Sequence, residues 1–154
     1  MEANPSTIVR APDWEERLAL YLDRVAEERF EWGVHDCALH AAAAVKAQTG
    51  VDPAAAFRGT YDTRTGSAEA LRKHGAGTLL RTVTAWLGEP KHVSQAKRGD
   101  IVMKDRTTLG VCVGLYSYFV GEEHGQEGLV HVPTADCSRA FTVPFMAPSS
   151  VEGR

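Results

Sequence analysis

The chain lacks most of the features that would give a role away at once. No apolar run approaches the roughly 20 residues that a membrane-crossing helix needs. Met1-Glu2-Ala3-Asn4-Pro5 does not have the charged-then-apolar pattern of a signal peptide, so synthesis as a soluble cytoplasmic chain is expected. Surplus basic charge is missing too: the formal net charge is −3 over 154 residues. The densest basic group (Lys97, Arg98, Lys104, Arg106) is interrupted by Asp100 and Asp105, which argues against a nucleic-acid surface. Cysteine is scarce, and three residues without paired spacing argue against a disulfide framework. No internal repeat or low-complexity segment is visible. What remains, 44% hydrophobic and 24% charged residues, is the composition of one ordinary globular domain large enough to bury a core.

The sequence divides into an extended arm (1–11), one domain (12–143) and a flexible tail (144–154) rich in Pro and Ser. A helix is predicted from Asp13 to about Phe30, with Asp13 and Glu16 as a capping box and Trp14, Leu18, Tyr21 and Val25 on its buried face. A second helix runs from Asp36 to about Gln48 and ends at Gly50. Asp52-Pro53 starts a short helical turn over Ala54 to Phe57. After a polar loop from Gly59 to Gly66 come two short helices, about Ser67 to His74 and Thr78 to Leu87, closed by Gly75 and Gly88. Beyond Pro90 the β-branched and aromatic runs Ile101–Met103, Val111–Phe119, Gly128–Val132 and Arg139–Val143 predict strands. Their short connections favour an antiparallel meander, and helices followed by a small sheet make an α+β domain. The acidic loop from Gly121 to Gly128, with Glu122, Glu123, His124 and Glu127, is longer than a hairpin needs and reads as a solvated tip or a partner contact.

The stretch that carries chemistry is Trp32-Gly33-Val34-His35-Asp36-Cys37. Asp36 is a good N-cap, so Cys37 opens a helix whose first peptide N–H groups stabilise a thiolate. The competing reading of Cys37 is a small core residue on an Ala-rich helix. His35, two positions away, reads as a cap or surface residue more readily than as a base. His40, one turn on, reads as packing behind the thiol. His74, His92 and His124 lie in loops or helix ends with no partner suggested. Trp14, Trp32 and Trp86 read as core aromatics, and Cys137, after Asp136, as inert or only surface-reactive. Cys37, His40, Cys112 and His131 would make a tetrahedral metal set if they converged, but only the first two are close in sequence, so no metal and no cofactor is expected.

Four motifs in order resemble the NlpC-type branch of papain-like cell-wall peptidases: Asp36-Cys37, Arg98-Gly99-Asp100-Ile101-Val102, Cys112-Val113-Gly114-Leu115-Tyr116 and Leu129-Val130-His131-Val132. The chain is more similar still to an uncharacterised family found in the tail modules of siphophages, prophages and gene-transfer agents. The shared residues are Trp32-Gly33, Asp36-Cys37, Arg58-Gly59-Thr60-Tyr61 and Gly110-Val111-Cys112-Val113-Gly114. The resemblance implies a papain-like (NlpC-type) fold over about residues 30–143. It implies Cys37 as nucleophile, Cys112 where the peptidases carry the catalytic histidine, and His131 at the third polar position.

A thiol cannot accept the Cys37 proton as an imidazole does, so the implied site is degenerate. His131 would be the substitute base if its ring reached Cys37. The implied role is a structural tail-tip or baseplate-hub component of the virion, used in tail assembly or cell-wall penetration. Its partners would be other tail-tip proteins and peptidoglycan. The alternative is an active cysteine peptidase or amidase that cuts peptidoglycan peptide stems during DNA entry. Cys112 and His131 are then expected to face Cys37 across one cleft, close enough for Cys37 and Cys112 to form a disulfide.

Overall fold

The computed structural model describes residues 8–121 and 128–145. Four helices precede a five-stranded antiparallel sheet, so the α+β class read from the sequence is the class observed. The helices are α1 (Trp14–Arg24), α2 (Cys37–Thr49), α3 (Arg64–His74) and α4 (Leu79–Leu87). The strands are β1 (Ile101–Lys104), β2 (Thr108–Cys112), β3 (Tyr116–Val120), β4 (Leu129–Pro133) and β5 (Arg139–Phe141). Strands β1 to β4 form a meander, and β5 returns beside β1, giving the order β4-β3-β2-β1-β5.

The amphipathic period of α1 buries Leu18, Tyr21 and Val25 as the spacing predicts, but the helix stops at Arg24, well short of Phe30. The Ala26 carbonyl, which a longer helix would use internally, instead accepts the Leu129 N–H at 2.8 Å and ties the chain to β4. Nor does the expected capping box form. Asp13 makes no side-chain cap and pairs with Arg17 at 2.8 Å. Helix α2 follows its prediction closely. Asp36 accepts the Leu39 N–H, and Gly50, at φ 83°, closes the helix in the left-handed region that a side chain disfavours. The alanines of α2 are buried on nearly every side, which lets α1 and the sheet approach it closely.

Two boundaries move. Helix α3 starts at Arg64 because Thr63, not a residue nearer Ser67, caps it by accepting the Gly66 N–H. Residues 54–57 form hydrogen-bonded turns and not a helix.

The larger correction lies in the run from Val111 to Phe119. It is two strands, β2 and β3, joined by a tight turn in which the Val113 N–H donates to the Tyr116 carbonyl at 2.9 Å. Gly114, at φ 121°, makes that reversal possible, and Leu115 at its tip is 86% exposed.

One core lies between the helices and the inner face of the sheet, where Ile101, Met103, Leu109, Val111 and Phe141 meet Ala41, Ala44 and Val45. The outer face carries Val102, Cys112, Phe119 and Ala140, covered by Val93 and Ala96 from a 3₁₀ turn and by Cys137. Ile8 is buried in the inner core. The Arg10 side chain donates to the Val143 carbonyl at 2.8 Å and to Asp100 at 2.9 Å. The Gly-Asp motif is thus a structural clamp: Asp100 also accepts from Lys91 at 2.8 Å and from the Lys97 N–H at 2.9 Å.

Candidate functional site

Asp36 organises the turn that delivers Cys37. Its side chain is 1% exposed, and all of its capacity is directed inward. One oxygen accepts the Leu39 N–H at 3.0 Å, and the other accepts the Gly33 N–H at 3.0 Å and the Tyr61 hydroxyl at 2.5 Å. Gly33 sits at φ 80°, and a Cβ there would overlap the Tyr61 carbonyl oxygen. The Gly59 N–H donates to the Gly33 carbonyl at 3.0 Å. Arg58 pairs with Asp52 at 2.7 Å and donates to the Leu39 carbonyl at 3.2 Å. The Trp-Gly-x-x-Asp-Cys and Arg-Gly-x-Tyr motifs are therefore one locked unit around the start of α2. Burial, and then the bond to Asp36, push the Tyr61 hydroxyl pKa well above its usual range, so it stays a donor.

Cys37 is half-buried, with its sulfur 3.6 Å from the Thr107 carbonyl in the turn between β1 and β2. It opens onto a cleft of about 410 Å³ between the start of α2, helices α3 and α4, and the β1–β2 turn. Phe30, Trp32, Phe57, Leu71 and Trp86 give it an apolar lining, and Arg106 to Thr108 reach it from the β1–β2 turn. Arg64, on the first turn of α3, also borders it. The aromatic residues that read as simple core, Trp32 and Trp86, are in fact walls of this cleft. Arg64, Arg106, Thr107 and Thr108 carry no local motif, and sequence reasoning missed them. The one signal was Arg64 beside Tyr61 in a polar loop longer than a turn.

The structure does not bring Cys112 to the thiol. Leu109 and Val111 take the inner face of β2, so strand alternation turns Cys112 to the outer face, where it is fully buried. Its sulfur contacts the Gly114 carbonyl at 3.4 Å and the Thr134 hydroxyl at 3.9 Å. Cys112 also ends the strand whose other end, at Thr108, reaches the cleft; four residues separate the two, about 13 Å. The expected Cys37–Cys112 disulfide therefore has no geometric basis. His131 shares the inner side of the sheet with Tyr118, its cross-strand partner, but lies exposed on edge strand β4 with its ring against Tyr116 at 4.9 Å. It does not border the cleft.

His40 is structural. Its Nε2–H donates to the Tyr118 carbonyl at 3.2 Å, which leaves Nδ1 to accept the Tyr21 hydroxyl at 2.7 Å. Both nitrogens are thereby used, and the ring links α1, α2 and β3. Full burial, then the neighbouring His35, hold its pKa down to about 3 despite the bond to Tyr118, so it is neutral. His35 is also buried rather than a surface residue, because the turn bridging Glu31 and His35 folds it inward. Its Nδ1 lies 3.9 Å from Glu28, and burial lowers its pKa against the pull of Glu28 and Asp36. The ring of His74 packs on Phe57, and His92 accepts the Ser94 N–H.

His124 and the acidic residues Glu122, Glu123 and Glu127 lie outside the described residues. Cys137 is buried, and burial raises its thiol pKa, the setting of an inert cysteine. The four-residue metal set does not converge. Among the described residues, no group of three or more His, Cys, Asp or Glu side chains is placed to hold a metal ion. No helix among them is long and apolar enough to cross a membrane.

The family model for a domain of unknown function, DUF6950, matches residues 9–143, and the chain belongs to that family. No curated protein and no solved structure matches the chain. The matched span contains the locked turn, the cleft and the whole sheet.

Proposed function

We propose that this DUF6950 member is a tail-tip or baseplate-hub component of a phage-like particle, built on a papain-like, NlpC-type scaffold. In this reading its Cys37 cleft engages peptide chains of the cell wall, and its main contribution is structural. The single observation that carries the cleft reading is the placement of Cys37 at the start of α2 on the wall of an aromatic-lined cleft of about 410 Å³. The particle context rests on the motif resemblance, in which Trp32-Gly33, Asp36-Cys37 and Arg58-Gly59-Thr60-Tyr61 occur in order. The residues flanking the thiol from the β1–β2 turn and the start of β2 are Thr107 and Thr108, whose side chains are not proton acceptors at neutral pH, and this favours holding a chain over cutting it.

One observation favours the second reading, a cysteine peptidase or amidase active on peptidoglycan stems. The Asp36 cap and the Tyr61 lock hold the thiol rigidly at a helix N-terminus, which is how a nucleophile is prepared. Purified muropeptides distinguish the two. The structural reading expects saturable binding and no product by chromatography, for wild type and Cys37→Ala alike. Turnover by the wild type that vanishes in Cys37→Ala, with iodoacetamide labelling that titrates well below about 8.5, overturns it in favour of the enzyme. Immunogold labelling of particles tests the location, and absence of label from the tail end refutes the tail-tip assignment.

A further inference from the structure

The cleft beside Cys37 has an uneven charge inventory. Among the described residues its only carboxylate is Asp36, which is 1% exposed and already accepts three hydrogen bonds from the chain. Its two cations, Arg64 and Arg106, are both exposed, and neither makes an ion pair among the described residues. Arg64 lies 5.9 Å over the Trp32 ring. Its position on the first turn of α3 puts a positive charge at the positive end of the helix dipole, so helix stability does not explain it. The rest of the described lining is largely apolar: Phe30, Trp32 and Trp86 are only half-buried, and Leu71 and Phe57 line the cleft with them. Low-polarity walls strengthen the field of nearby charges and place a premium on a ligand that supplies the missing anion.

We infer that the cleft takes a ligand with an apolar or aromatic body and one anionic end, a carboxylate met by Arg64 and Arg106. The inference names the ligand chemistry of the cleft proposed above and rests on its being a ligand site. The carboxylate could be the end of an acylated peptide or of a simple apolar acid, and both share the recognised chemistry. Guanidinium groups suit this task because their planar donor fork matches a carboxylate. The aromatic walls supply area and not direction, so the charge sets the orientation of the bound molecule.

Quenching of tryptophan fluorescence reads binding directly, because Trp32 and Trp86 both border the cleft. Four probes are titrated into the full chain: N-acetyl-L-phenylalanine and its amide, and 4-phenylbutyrate and its amide. The carboxylate of each pair is expected to bind about tenfold more tightly than its amide, a preference that shrinks with added salt. Arg64→Gln and Arg106→Gln together are expected to remove the preference, bringing the affinity for each acid down to that for its amide. Because both side chains are exposed, circular dichroism should show an unaltered fold. A stronger response to the acylated amino acid identifies a peptide-type ligand, and one to phenylbutyrate a simple acid; either supports the inference. Equal binding of acid and amide, a preference that survives the double substitution, or no response to any probe overturns it. Muropeptide binding without a charge preference would refute this inference while leaving the proposed function intact.

Discussion

Acidification should destabilise this protein through His40, and the size of the effect follows from its environment. The ring is fully buried, its Nε2–H is committed to the Tyr118 carbonyl, and its Nδ1 accepts the Tyr21 hydroxyl. A second proton would put a charge into this fully buried site, beside His35, which is why the pKa falls to about 3 from the ordinary 6.5. Below pH 6.5 the unfolded chain binds a proton at this position that the folded chain refuses until about pH 3. Stability is therefore complete at neutral pH and falls with pH through that window, by up to about 1.4 kcal/mol per pH unit. Between pH 7.5 and 4.5 the loss from this one site is about 3 kcal/mol, a large share of a typical domain's stability. His35, also lowered by burial, adds in the same direction.

Urea denaturation at several pH values, on wild type and His40→Gln, isolates the effect. Gln retains an N–H for Tyr118 but cannot titrate. The variant is expected to be less stable at pH 7.5 by about 1 to 3 kcal/mol, yet to lose about 2 to 3 kcal/mol less than wild type on going to pH 4.5. Parallel pH profiles for the two proteins, or an NMR titration placing His40 near pH 6.5, would refute the reasoning.

Tyr61→Phe removes one hydrogen bond to a buried carboxylate and is expected to cost about 1.5 to 3 kcal/mol, with altered iodoacetamide labelling of Cys37; a thermal melt indistinguishable from wild type would count against the lock. Gly33→Ala should be worse, since its Cβ overlaps the Tyr61 carbonyl at a positive φ, and little soluble protein is expected on expression. Cys112→His is expected to impair folding, because Cys112 is fully buried on the outer face of the sheet, and to leave Cys37 labelling kinetics in any folded fraction unchanged. A gain in Cys37 reactivity in that variant would show that the two residues communicate. Asp100→Asn leaves Arg10 buried without its carboxylate and should cost about 3 to 5 kcal/mol, measured by denaturant midpoint.

Much of this molecule is local and therefore legible in the chain. The cap at Asp36, the stop at Gly50, the amphipathic face of α1 and the β-branched runs after Pro90 each act within a few residues, so their outcome could be read from spacing alone. The importance of Asp36, Cys37 and Tyr61 was also visible as motif. The reason for it, a tyrosine hydroxyl reaching a cap 25 positions earlier, was not.

What the tertiary structure decided were the questions of face and end. A run such as Val111 to Phe119 alternates in the same way whichever side meets the helices. The choice falls to the packing of Leu109 and Val111 against α2, and it turned Cys112 outward. Helix α1 ended early because a carbonyl four positions before its expected stop, in a chain with many competing donors, was taken by a strand about 100 residues later. The cleft itself joins residues 30 to 120, from elements that share no sequence signal, and its charge and shape exist only once those elements are docked.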